Sequence, residues 1–473
     1  MRTRLLMVVA LAMLLFASGS SAQLPKAPSY PGPDDRYKAD VLLVVGHPDD
    51  DALISAFLAK LSFDDHKHIA AIVCTQGDGG GNAIAAEAGA ALGQVRVQEA
   101  RRALDSLGIV NVWFLGNHDT PAQNVLWSLD RWNHGRTLGE MVRLVRLTRP
   151  EIIVTMLPDQ VAGENHADHQ AAGVIATEAF DLAGNPTVFP EQVSAPRELQ
   201  GMSNLTEGLQ PWQPKKIYYI TDAFENYSQY WHDPKADSPY RANFLKNAGP
   251  EYTTTGISPS RHISYGQIAA EEQVFYMTQE GYLGKESIAK GDYREFEQPV
   301  RFIFGKSVVK PSSVTGDLFE GVQPGAAAFV PVRGYQPENH EGLALEIGDP
   351  WAFYQKFWKA HDLAHLAQLL PNPELATGWG GTIHVPLLIH NATANPQTVN
   401  LTVVLPPGWS EKSGSAQYPV PARETYPAQS VLMAPASGEL GWQEITWNAE
   451  AHGQRIATIT LRVLLGRGGG LPQ

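Results

Sequence analysis

Four short apolar runs, Val41–Gly46, Ile69–Thr75, Val110–Gly116 and Ile152–Leu157, alternate with segments of helical period at Ala52–Leu61, Leu92–Leu107 and Leu138–Leu147. A strand that is apolar throughout has to be covered on both faces, so the pattern predicts parallel strands joined by helical crossovers. Lys216–Ile220 reads as one more strand of the same sheet. The expected fold class is α/β, a Rossmann-like, doubly wound, mostly parallel sheet. From about residue 376 the texture changes. Gly380–His390, Thr398–Leu405, Ile445–Trp447 and Ile456–Leu464 alternate polar and apolar positions between Pro, Gly and Asn punctuation. That texture predicts a C-terminal all-β sandwich domain of the Ig-like kind.

At 473 residues the chain exceeds one ordinary core. The expected plan has a signal peptide over 1–22, a catalytic domain over 23–289 with an insertion near 224–262, an intermediate region over 290–375, and the sandwich over 376–466. Arg2 and Arg4 precede an apolar run from Leu5 to Phe16 and then Ala17-Ser-Gly-Ser-Ser-Ala22. This is the layout of a secretory signal, with cleavage expected after Ala22. The run is short of the roughly 20 apolar residues of a membrane span. A secreted or periplasmic protein is expected, with no stable membrane insertion after cleavage. The formal charge of −13, or −15 once Arg2 and Arg4 are removed, carries no basic stripe and argues against nucleic acid as a partner. The single cysteine, Cys74, lies in an apolar run and reads as a small buried hydrophobe.

Two clusters of histidine and aspartate follow strand-like runs. Gly46-His47-Pro48-Asp49-Asp50-Asp51 follows the first run, and Asn165-His166-Ala167-Asp168-His169 follows the fourth after a short loop. In an open α/β sheet, ligands sit outside the carboxyl ends of the strands. Imidazole nitrogens and carboxylate oxygens are what an open, catalytic Zn²⁺ site accepts. His47, Asp50 and His169 would supply three ligands to one zinc ion per chain. Asp49 would remain beside the attacking water as general base. His166 would face the developing oxyanion or the leaving nitrogen, and Asp168 would fix the tautomer of a neighbouring histidine. The bland alternative takes Asp49, Asp50 or Asp51 as the N-cap of the following helix, and His166 and His169 as cap and surface residues. Convergence of both clusters at strand ends in one sheet favours the site.

At these residues the chain resembles the PIG-L (LmbE-like) family of zinc-dependent N-acetylglucosamine deacetylases, over about residues 38–285. The resemblance implies the same roles for His47, Asp50, His169, Asp49, His166 and Asp168. Thr75–Gly80 is similar to the family's glycine loop, and Arg96-Val-Gln-Glu99 to its Arg-x-x-Glu helix. Leu115-Gly-Asn-His-Asp119 stands where the family places a substrate-contacting aspartate. Arg96 and Asp119 are therefore implied as substrate contacts. Where some members carry His-x-Ser-Gln, this chain has Tyr276-Met-Thr-Gln279. The expected activity is removal of the acetyl group from N-acetylglucosamine-containing glycosides or glycans. The rival readings are a metal-dependent esterase or peptide amidase on the same fold, and a non-catalytic carbohydrate-binding protein. Nothing in the residues fixes an oligomeric state.

Overall fold

The computed structural model describes residues 32–121, 124–159, 166–193, 207–221, 249–310, 313–323, 342–369 and 374–466. The expected signal peptide, the Pro-rich leader up to residue 31, most of the expected insertion and the Pro371–Pro373 linker lie outside the described residues. Among the described residues, no helix is long and apolar enough to cross a membrane.

Strands β1 (Val41–Val45), β2 (Ile69–Thr75), β3 (Asn111–Asn117), β4 (Ile152–Met156), β5 (Lys216–Ile220) and β6 (Ile303–Ser307) form one sheet in the order β3-β2-β1-β4-β5-β6. The first five are parallel and β6 is antiparallel on β5. Every residue of β1, β2, β4 and β5 is buried, as the continuous apolar runs require, whereas the edge strand β3 is only partly covered.

The crossovers begin with a short segment after β1, a 3-10 turn at Asp50–Ile54 that leads into α1 (Ser55–Ala59). They continue with α2 (Gly89–Ser106), α3 (Val125–Arg131), α4 (His134–Thr148) and α5 (Ala167–Leu182). Helix α5 is buried almost all round, which marks it as the central helix of its layer. A Cβ at Gly173 on α5 would lie 2.2 Å from the carbonyl oxygen of Met156, so only glycine lets the helix seat on the end of β4. After β5 come α6 (Tyr265–Gln273) and α7 (Gly281–Lys290), which pack on each other.

The described residues between 290 and 375 are shared between two cores. Strand β6 closes the parallel sheet, and β7 (Leu343–Ile347) pairs with β9 (Thr382–Asn391) in the sandwich. Helix α8 (Pro350–Ala360) then turns back, burying Tyr354, Phe357 and Trp358 in the core of the parallel sheet. The sandwich thus begins about thirty residues before 376. Its two sheets are β8 (Glu374–Gly378), β15 (Gln454–Gly466), β14 (Gly441–Ala451), β10 (Gln397–Val404) and β12 (Ala416–Val420) in one, and β11 (Ser410–Ser413), β13 (Glu424–Met433), β9 and β7 in the other. Their facing side chains, Leu387 and Ile389 against Leu401, Trp447 and Leu461 among them, make a second core.

A chain ended at Gly342 should therefore be far less stable than one ended at Pro371. It loses the burial of Tyr354, Phe357 and Trp358, each worth about 1.5–3 kcal/mol, out of a typical domain stability of about 5–15 kcal/mol. Urea unfolding of the two fragments measures this, and equal midpoints would show that α8 adds nothing to the first core.

Candidate active site

The strand order reverses between β1 and β4, since the chain runs outward from β1 through β2 and β3 on one side and from β4 through β5 and β6 on the other. Such a switch point is where an open α/β sheet leaves a crevice at its carboxyl edge. Both His/Asp clusters leave the sheet there. Gly46 lets them meet, because a Cβ at that position would lie 3.0 Å from His169 Cδ2 and 3.2 Å from the Asp168 backbone.

His47 Nδ1 lies 2.9 Å from His169 Nε2. Asp50 Oδ1 is 3.1 Å from that same Nε2 and 3.7 Å from His47 Nδ1. Two imidazole nitrogens so close cannot both be bare acceptors, so a proton or a cation must lie between them. Ligand atoms of a four-coordinate zinc with bonds of about 2.0–2.1 Å stand about 3.3 Å apart, which is the spacing of this trio. The donor set fits zinc. A second trio, His47, His166 and Asp168, shares His47: Asp168 Oδ2 is 3.4 Å from His47 Nε2 and 3.7 Å from His166 Nδ1.

The electrostatics are those of a cation site. Burial works against a charged His47, yet hydrogen bonds to Asp168 and Asp50 outweigh it and hold its pKa well above the usual histidine value. Burial likewise works against an ionised Asp50, but His169 and His47 pull its carboxyl far below the usual range. Asp50 also accepts the backbone N–H of His47 at 2.8 Å, which fixes the turn.

Asp49 behaves differently. It occupies the N-cap position of the 3-10 turn without making a side-chain cap hydrogen bond. Burial, and then the neighbouring Asp50 charge, push its pKa to about 6. Asp51 is turned to the back of the segment, where it accepts from Tyr276. Capping therefore does not account for Asp49.

His166 is the N-cap of α5, and its Nδ1 accepts the Asp168 N–H at 3.3 Å. Burial and the nearby His47 depress its pKa to about 4, so the imidazole is neutral and carries its proton on Nε2. Asp168 is fully buried and accepts both the N–H (2.8 Å) and the hydroxyl (2.6 Å) of Thr120, whose Oγ1 also meets Ser128 Oγ at 2.6 Å. Its carboxylate is thus aimed before it meets His47, as supporting carboxylates of metal-binding histidines are.

Arg96 and Asp119 line the glycine loop. The Arg96 guanidinium donates to the carbonyls of Gly77 (2.9 Å) and Gly81 (2.6 Å) and so organises the loop. Asp119 accepts the Gly79 N–H at 3.0 Å, and its own N–H reaches Asp78 at 2.9 Å. Asp119 Oδ1 and Arg96 Nε are buried and have no hydrogen-bond partner among the described residues. Glu99, one turn beyond Arg96, accepts both the N–H and the hydroxyl of Thr278.

Sequence reasoning did not single out Thr120, Ser128 or Glu272, and it met Tyr276 only as a departure from His-x-Ser-Gln. Thr120 had a findable signal, since it follows Asp119 at the carboxyl edge of β3, whereas Glu272 reaches the site only through the packing of α6.

Residues 42–180 match the family model described as PIG-L, GlcNAc-PI de-N-acetylase. The chain is 29% identical over 166 residues to a 1D-myo-inositol 2-acetamido-2-deoxy-alpha-D-glucopyranoside deacetylase 1 of Catenulispora acidiphila, covering 32% of this chain and 51% of the relative. The chain thus spans about half the length of that relative. A deacetylase of the same name from Frankia casuarinae is 24% identical over 310 residues, 60% of this chain and 94% of the relative. The structure of an N,N'-diacetylchitobiose deacetylase from Pyrococcus horikoshii superposes with a TM-score of 0.36 at 16% identity, over 57% of this chain and 84% of that one.

Proposed function

We propose, from the match of residues 42–180 to the PIG-L family model, that this protein is a zinc-dependent hydrolase that removes the acetyl group from N-acetylated amino sugars. The observation that carries the reading is Asp49, an uncapped carboxylate with a pKa of about 6 beside three converging ligand atoms. A site that only held a metal or a sugar has no use for such a group. The relatives' names point to a glycoside of 2-acetamido-2-deoxyglucose as the substrate class.

His47, Asp50 and His169 would hold the zinc, which supplies Lewis acidity toward the acetyl carbonyl and toward water. Asp49 takes the proton of the water that attacks the acetyl carbon and returns it to the leaving amine; a pKa near the working pH suits both transfers. His166 donates its Nε2–H to the oxygen on which negative charge develops. Asp168, aimed by Thr120, steadies His47. Arg96 and Asp119, which meet the glycine loop, would be the contacts to the sugar. The apolar and small-residue layout of residues 1–22 supports a secreted or periplasmic location; N-terminal sequencing of the mature protein checks it.

The test is acetate release from N-acetylglucosaminides, chitooligosaccharides, acetyl esters and acetylated peptides, with zinc content measured in parallel. Release from the amino sugars that disappears on chelation and returns with zinc is the expected result. Ester or peptide cleavage with none from any amino sugar overturns the substrate class, and full activity without metal overturns the mechanism.

A further inference from the structure

His169, one of the three proposed zinc ligands, lies in the first turn of α5, together with Asp168 and with His166 at the N-cap. The i to i−4 hydrogen bonds of a helix begin only after its first turn, so that turn depends most on contacts from outside. On one side of His169, Asp168 is held by Thr120. On the other side stands Gln170, which is 0% exposed. Its backbone N–H donates to the His166 carbonyl at 3.1 Å and closes the turn. Its side-chain Oε1 accepts the hydroxyl of Tyr354, a buried residue of α8. Packing alone does not call for that hydroxyl, because phenylalanine fills the same space without burying a polar group.

Helix α8 leaves directly from the sandwich. Strand β7 pairs with β9 up to Ile347, and the Gly348 N–H then donates to the Pro386 carbonyl at 2.9 Å. Only Gly348 and Asp349 separate that strand from the start of α8 at Pro350. Just past its far end α8 is fastened to α5 a second time. His361 Nδ1 lies 2.6 Å from Asp181 Oδ2, in the last turn of α5. Lys306 of β6 pairs with the other oxygen of Asp181 and donates to the His361 carbonyl at 3.2 Å. The far fastening is remote from the ligands, whereas the near one falls on the turn that carries two of the site's histidines. We propose that Tyr354 is a positioning residue for the zinc site. Through Gln170 it holds the turn of His166 and His169 against His47 and Asp50, and through β7 it makes the sandwich a support of that site.

This inference rests on the zinc reading of His47, Asp50 and His169, and not on the identity of the substrate. In the full-length protein, Tyr354→Phe keeps the ring and removes only the hydroxyl. Its zinc affinity, measured by competition with a chelator, should fall by about tenfold, the lower end of the range for groups that support metal ligands. His361→Ala is the control, since it cuts the fastening remote from the ligands. It should lower the melting temperature of the metal-free protein at least as much as Tyr354→Phe does, while zinc affinity stays within about twofold. In a Gln170→Leu background, adding Tyr354→Phe should cost no further zinc affinity, because residues that act through one contact are not additive. Unchanged zinc affinity in Tyr354→Phe, an equal loss in His361→Ala, or full additivity with Gln170→Leu overturns the proposal. A wild-type protein that binds no zinc overturns it together with the zinc reading. Zinc binding without acetate release from any amino sugar overturns the substrate reading alone, and the measured affinities still decide this one.

Discussion

His169→Ala is expected to leave the protein folded, without bound zinc, and with acetate release at background. His169 sits in the first turn of α5, its Nε2 facing both His47 Nδ1 and Asp50 Oδ1. Removing it leaves two ligands, too few for a catalytic zinc site, which takes three from the protein. It also leaves Asp50 without the histidine that does most to offset its burial. The fold should survive, because the packing of α5 on the sheet is carried by Ala171, Val174, Ile175 and Phe180. Asp168→Asn is the graded control. It keeps all three ligands and weakens only the support of His47, so zinc affinity should fall by about 10–100-fold, the range for such supporting partners. Metal analysis after dialysis, with circular dichroism for the fold, separates the two. Stoichiometric zinc in the His169→Ala variant would remove His169 from the ligand set.

Much of this arrangement is legible before any coordinates are known. Strands β1, β2, β4 and β5 are buried on both faces, so their sequences are unbroken apolar runs, and the alternating helices leave little choice but a parallel sheet. The histidines and aspartates are legible because they belong to the short loops directly after β1 and close after β4. What escapes the sequence depends on distant packing. Leu343–Ile347 is apolar but for Glu346, and five residues cannot say which sheet they join; the sandwich claims them by pairing with β9. Glu424–Met433 contains Pro427 and is exposed over much of its length, so its strand signal is weak. Arg96 stands out on its helix, yet nothing in the sequence says that its guanidinium is taken up by the carbonyls of Gly77 and Gly81. Glu272 is fully buried on α6, whereas an acidic residue in a helix normally reads as a solvated one.

Asp49→Asn should separate the base from the ligands. Asparagine has nearly the shape of aspartate, and Asp49 makes no cap hydrogen bond that the 3-10 turn would miss. Asp49 is also outside both candidate ligand groups, so zinc should stay bound. What disappears is the acceptor for the water proton and its return to the amine. General-base contributions are typically about 10²–10⁴-fold, so kcat should fall by that factor, equivalent to about 3–5 kcal/mol of barrier. The pH profile makes the assignment sharper. A base must be ionised to act, so wild-type activity should fall as the pH drops through the Asp49 pKa. Without metal that value is about 6; a bound dication beside it favours the charged form and moves it down. The acid limb therefore belongs at or below about pH 6, and it should vanish from the residual activity of Asp49→Asn. Asp50→Asn is the contrast, losing zinc along with activity. Turnover near wild type in a zinc-loaded Asp49→Asn variant would mean that another group takes the proton, and the mechanism built on Asp49 would have to be abandoned.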